Sequence, residues 1–147
     1  MNEGAKPQTL EAIEILKNSK TPFVVAANKI DRVGGFNSDT KKPILQNIQD
    51  QQDYVLQDIE TKLYKIVQTL HEHGLQSERF DRLQDYTKQV AIIPCSAKTK
   101  EGLPELLMVI SGLAQKYLEQ NLEADLEKPA KGTILEVTEE KGMGKTL

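Results

Sequence analysis

Apolar residues recur along this chain with two different periods. Leu10, Ile13 and Leu16 fall at helical spacing with Ala12 and Ile15 beside them. Pro7 suits the first turn and Lys17 and Lys20 the end, which predicts a helix over 7–18. Pro22-Phe23-Val24-Val25-Ala26-Ala27 is then a continuous apolar run, the pattern of a parallel strand buried on both faces. It stops abruptly at Asn28-Lys29-Ile30-Asp31, and residues 32–42, with Gly34, Gly35, Asn37, Ser38 and Asp39, read as loop. Ile44, Ile48, Val55, Ile59, Leu63, Ile66 and Leu70 mark one face of a long amphipathic helix, or of two nearly collinear ones. Pro43 opens it and Gly74 supplies a left-handed stop. Residues 77–88 carry Phe80, Leu83 and Tyr86 and predict a short helical turn packed on the body.

A second apolar strand, Val90-Ala91-Ile92-Ile93-Pro94, also ends in a polar cluster, Cys95-Ser96-Ala97-Lys98. Gly102 and Pro104 start another helix, with Leu106, Leu107, Ile110, Leu113, Ala114, Tyr117 and Leu118 on its buried side. Residues 121–131, charged and interrupted by Pro129, read as a linker, and Thr133-Ile134-Leu135-Glu136-Val137 as a third strand of different character. Helix, strand, helix, strand, helix is an α/β order and implies a parallel sheet flanked by helices. Such sheets bind ligands outside the carboxyl ends of their strands. Both polar clusters, 28–31 and 96–98, lie at such ends.

Composition narrows the classes. The chain has 147 residues, 38% apolar, enough for one ordinary core. With 19 Lys+Arg against 22 Asp+Glu, it lacks the basic excess of a dedicated nucleic-acid binder, so no DNA partner is expected. Trp is absent and aromatics are 5%, which disfavours a stacking platform for single strands. No apolar run approaches the roughly 18 residues of a membrane span, and residues 1–8 are too polar for a signal peptide. The single cysteine, Cys95, excludes an intrachain disulfide and fits a reducing compartment, so a cytoplasmic location is expected.

The two clusters form a coherent site for guanine. That base presents two donors on one edge, N1–H and the 2-amino group, and the Asp31 carboxylate can accept both in parallel. Adenine, with an acceptor at N1 and no 2-amino group, leaves Asp31 unpaired, and such a site rejects the analogue by roughly 10⁴-fold. Lys29 has an aliphatic stem that can cover one base face while its ammonium stays wet, and Lys98 can cover the edge or the opposite face. The Ala97 N–H is placed to donate to O6, and Asn28 and Ser96 are suited to tie the loops together.

These residues and much of the text around them resemble the GTP-binding domain of translational GTPases, and within it the archaeal/eukaryotic relatives of bacterial translation initiation factor two. The phrases that carry the resemblance are Asn2-Glu3-Gly4, Lys6-Pro7-Gln8-Thr9, 21–32, Glu78-Arg79-Phe80-Asp81-Arg82, 90–94, Ser96-Ala97-Lys98-Thr99 and 102–107. Residues 131–137 look like the opening strand of that family's second domain, a β-barrel. The resemblance implies an α/β fold, a partial P-loop-type G domain followed by the first strand of a β-barrel. Residues 1–120 would be the guanine-recognising half of the GTP-binding domain, and 132–147 the start of the barrel. It implies GTP or GDP as ligand, with Asn28, Lys29, Asp31, Ser96, Ala97 and Lys98 around the base. The parent factor would hydrolyse GTP, promote ribosomal subunit joining, and have the ribosome and initiator tRNA as partners.

The phosphate side of the site departs from the family. A Gly-x-x-x-x-Gly-Lys-Ser/Thr loop, a switch threonine and an Asp-x-x-Gly motif hold the phosphates and Mg²⁺ there. In the family they precede the point where this sequence begins, so no Mg²⁺ ligand is expected here. Gly144-Lys145-Thr146 lacks the first glycine, its place being taken by Glu139, and Asp31-Arg32-Val33-Gly34 uses an aspartate already assigned to the base. Two other readings stand beside the initiation factor: a stand-alone, non-catalytic module binding guanine nucleotide or protein, and a piece of another translational GTPase. The remaining signals read as structure. His71 and His73 point to different faces of a helix end, Cys95 as a small buried hydrophobe, Gly34-Gly35 as loop and Lys41-Lys42 as solvated surface.

Overall fold

In the computed structural model, residues 6–86, 88–119, 138–140 and 144–146 are described. Helix α1 spans Pro7–Asn18 and is followed by strand β1, Val25–Ala27, and a 3-10 turn, Ile30–Arg32. Helices α2 (Ile44–Gln49) and α3 (Asp53–Glu72) follow, then β2 (Ser77–Arg79), β3 (Val90–Pro94) and α4 (Leu103–Glu119). Thr138–Glu140 (β4) and Gly144–Thr146 (β5) form a separate antiparallel pair, with Glu139 opposite Lys145.

The sheet has the order β1-β3-β2 and is parallel throughout. Central β3 is the most deeply covered strand of the sheet, with Ile92 and Ile93 fully buried. Val55, Ile59, Leu63 and Leu70 of α3 and Ile44 and Ile48 of α2 join them in one core, the face their spacing predicts. The stripe is carried by two helices, because Gln52 is extended (φ −67°, ψ 150°) and interrupts the helical run. Gly74 ends α3 at φ +74°. Its N–H donates to His71 O at 2.8 Å and that of Leu75 to Leu70 O at 3.0 Å, the paired bonds that close a helix through a left-handed residue. Lys17 of α1 donates to the His73 carbonyl at 2.7 Å, a cation placed at the negative end of α3.

Three sequence expectations need correction. The apolar run 22–27 supplies only three paired residues, Val25 to Ala27, opposite Ile92 to Pro94, and Ala26 is exposed on this edge strand. Residues 77–79, expected to begin a helical turn, form β2 instead, with Ser77 opposite Val90 and Arg79 opposite Ile92. Ser-Glu-Arg carries no strand pattern, yet Arg79 is only 8% exposed. Its guanidinium bonds Asp81 at 2.5 and 2.9 Å and Glu60 of α3 at 2.8 Å, so its charge is compensated at the sheet edge. Burial alone would push the Asp81 carboxyl up, but the hydrogen bonds and charge of Arg79 hold it below its ordinary value. On α4, Val109 is the residue fully covered, while Leu107 (64%) and Ile110 (42%) are exposed, so the expected stripe is rotated toward Leu106, Val109 and Leu113. The expected strand over 133–137 and the Leu118 side chain lie outside the described residues.

Since Gly74 sits where an L side chain is strained, Gly74→Ala is expected to lower stability by about 1–2 kcal/mol. Urea unfolding of the two chains checks it, and equal midpoints would contradict the left-handed stop.

Candidate functional site

The register of the central ladder sets Ala27, the last residue of β1, beside Pro94, the last of β3. Beyond that pair the two chains stay stitched together: the Cys95 N–H donates to Ala27 O at 3.1 Å and the Ile30 N–H to Cys95 O at 3.1 Å. Ile30 is fully buried and anchors the 3-10 turn that presents Asp31. Lys29 takes a left-handed backbone (φ 71°), a strained conformation for a residue with a side chain, and is exposed.

Side chains then cross between the loops. Asn28 Oδ1 accepts from its neighbour's N–H on Lys29 at 2.7 Å and from the Ala97 N–H at 3.0 Å. Ser96, fully buried, donates from Oγ to Asp31 Oδ1 at 2.6 Å and accepts from the Thr99 N–H at 3.2 Å. Among the described residues no other donor is bonded to the Asp31 carboxylate. The structure thus brings Asn28, Asp31, Ser96 and Ala97 into one bonded group, with Lys29 and Lys98 exposed beside it. Ala97 differs from expectation in one respect: its N–H, assigned from sequence to a ligand oxygen, donates to Asn28.

Gly102 closes the second loop. At φ +72°, an added Cβ would lie 2.2 Å from the Pro94 carbonyl oxygen, so only glycine fits against the strand end. The adjoining Glu101 was passed over in the sequence, yet it is 4% exposed and accepts from Ser38, Asp39, Asn47 and Thr99. A carboxylate directly before a helix-opening glycine was the available signal. Beside the group, a cleft of about 630 Å³ runs along β1, walled by Leu16, Ile66 and Leu70 and reaching Asn28 and Lys29.

The other sequence candidates are settled by geometry. Asp31 is engaged by Ser96, and Val33 of Asp-x-x-Gly is buried in the core. Gly144-Lys145-Thr146 is strand, not a loop leading into a helix. Cys95 is buried and its thiol is pushed up by that burial, the opposite of an activated nucleophile. Among the described residues no group of three or more His, Cys, Asp or Glu side chains is arranged to hold a metal ion. Within the same residues no helix is long and apolar enough to cross a membrane.

A family described as the elongation factor Tu GTP binding domain matches residues 1–116. Over its full length the chain is 56% identical to the probable translation initiation factor IF-2 of Thermococcus sibiricus, of which it spans 25%. It is 54% identical to that of Methanospirillum hungatei, spanning 24%. Among solved structures, GDP-bound aIF5B from Aeropyrum pernix is similar with a TM-score of 0.87 and 46% identity, over 97% of this chain and 24% of that one. The chain therefore spans about a quarter of the length of these relatives.

Asn28→Ala removes the acceptor shared by two loops, so the Ala97 amide hydrogen is expected to exchange with solvent about tenfold faster, the size of one lost hydrogen bond. Amide exchange followed by NMR reads this directly; unchanged protection at Ala97 would show that Asn28 does not bridge the loops.

Proposed function

The chain belongs to the elongation factor Tu GTP binding domain family of translational GTPases, and from that premise we propose that its two strand-end loops recognise the guanine base of GTP and GDP. In this reading Asp31 accepts from N1–H and the 2-amino group, a pair of charge-assisted bonds that adenine cannot supply. Ser96 fixes the carboxylate, and Asn28 fixes the loop carrying Ala97. The Ala97 N–H reaches O6 as a three-centre donor shared with Asn28, and its small side chain permits close approach. The Lys29 stem lies over one face of the base, and Lys98 covers the edge or the other face.

The single observation that supports this most is the Ser96–Asp31 bond at 2.6 Å between residues 65 apart in sequence. It orients a carboxylate at the carboxyl end of a parallel sheet, where ligands of α/β proteins bind. We further assign the chain to a translation initiation factor of the kind its relatives are named for, acting in the cytoplasm. That factor would hydrolyse GTP on the ribosome, promote subunit joining and work with initiator tRNA. Residues 1–120 then form the guanine-recognising half of the GTP-binding domain, 121–131 a linker and 132–147 the start of a β-barrel. The phosphates and Mg²⁺ fall to parts of that domain outside the six residues named above.

Asp31→Asn tests the base assignment. The amide can donate to the carbonyl that xanthine carries at C2, whereas the carboxylate cannot. GDP binding is expected to fall about 10- to 100-fold, and binding of xanthosine diphosphate to rise. Competition titrations with the two nucleotides measure both, and an unchanged preference for guanine would remove Asp31 from the role.

A further inference from the structure

Among the described residues Glu101 is the one buried carboxylate, and the base assignment leaves it without a task. Among the described residues its charge is met only by neutral donors: the Ser38 hydroxyl, the Asp39 N–H at 3.0 Å, Asn47 Nδ2 at 2.5 Å and Thr99 Oγ1 at 2.5 Å. Such a group is tolerated in a core only when its hydrogen bonds are complete. Three of those donors come from residues 38–47, and that stretch is itself braced. Gln51 accepts from the Asn37 N–H at 2.8 Å and donates to Asn37 O at 2.8 Å and to Asn47 Oδ1 at 3.0 Å. Nearby, Glu105 of α4 accepts the Ile44 N–H at 2.9 Å, so α2 is held from the same side.

The fourth donor leads to the base loop. Thr99, bonded to Glu101 through its hydroxyl, gives its N–H to Ser96 Oγ, and the same oxygen donates to Asp31. The Glu101 carbonyl also accepts the Ser96 N–H at 2.9 Å, so one residue grips the loop by main chain and side chain together. Resting on the guanine reading above, we propose that Glu101 is a positioning residue. By clamping the 96–101 loop to the 38–47 segment it fixes Ser96, and through Ser96 the aim of Asp31 at the donor edge of the purine. It touches neither Asp31 nor the base and acts through Thr99 and Ser96 alone. The 38–47 segment is therefore part of the specificity apparatus.

Inosine lacks the 2-amino group, so the ratio of GDP to IDP affinity reads the second hydrogen bond of Asp31. The full 147-residue chain is titrated with each nucleotide and followed by amide chemical shifts, which register weak binding as well as tight. Glu101→Ala is expected to shrink the GDP preference about tenfold, and Ser38→Ala, an exposed change that spares the core, to shrink it less. Glu101→Gln is expected to restore it. Its oxygen serves Asn47 and Asp39 while its NH₂ donates to the hydroxyls of Ser38 and Thr99, which can turn to accept. Simple loss of stability lowers both affinities by one factor and leaves the ratio alone. Weaker binding at an unchanged ratio therefore overturns the proposal.

A second measurement needs no nucleotide: in Glu101→Ala and Ser38→Ala, amide exchange at Ala97 and Thr99 is expected to rise more than in β3. Uniform or unchanged exchange overturns the clamp. A starting chain that does not distinguish GDP from IDP would refute the Asp31 assignment instead, and the exchange arm still decides Glu101.

Discussion

The site depends on one constraint: two parallel strands end side by side, and the backbone bonds continue past them. Ala27 lies opposite Pro94, and Cys95 then donates back to Ala27 and accepts from Ile30. Two loops nearly seventy residues apart in sequence thereby leave the sheet as a joined pair. The side-chain hydrogen bonds of Asn28 with Ala97 and of Ser96 with Asp31 span a gap whose width that ladder sets. A slip of one residue in β3 would turn its side chains to the other face and carry Ser96 away from Asp31.

Among the described residues, polar side chains around this frame are buried with partners, with one exception. Arg79 enters the sheet edge with Glu60 and Asp81 bonded to it, Asn47 with Glu101 and Gln51, and Ser96 with Asp31 and Thr99. Among the described residues the hydroxyl of Ser77 is the one buried side-chain polar atom without a partner. Removing one member of such a network leaves buried donors unmet, which costs more than the bond itself contributes.

Much of this was legible in the sequence, and the limits have physical causes. α1 and β3 end where spacing and apolar content place them, and Gly74 stops α3 as a left-handed glycine should. The two polar clusters were visible because buried strands end in them. β2 was not visible, since Ser77-Glu78-Arg79 owes its strand conformation to pairing with Val90–Pro94 and its burial to Glu60 and Asp81. Local propensity carries no trace of partners supplied from elsewhere. The rotated face of α4 has the same origin: Leu107 and Ile110 fit an apolar stripe by spacing alone, but burial also requires something opposite them.

Glu101 shows the deeper limit. Its role is defined by donors at positions 38, 39 and 47, in a stretch that reads as a solvated, glycine-rich loop followed by a helix. A loop of that length exposed on both sides would gain little by ordering, because fixing each residue costs about 1–2 kcal/mol of conformational entropy. Here that cost is offset locally. Gly35, at φ +80°, passes under Tyr54, Val33 and Phe36 pack on the core, and the Asn37–Asn47–Gln51 bonds close the segment on itself. The excursion between Asp31 and α3 is thus an ordered buttress, and it reaches the opposite base loop through a carboxylate. A purine site of this kind gains selectivity from acceptors that cannot relax toward the wrong base. On the proposed reading, rigidity imported from a neighbouring segment contributes to recognition as directly as the carboxylate assigned to the base.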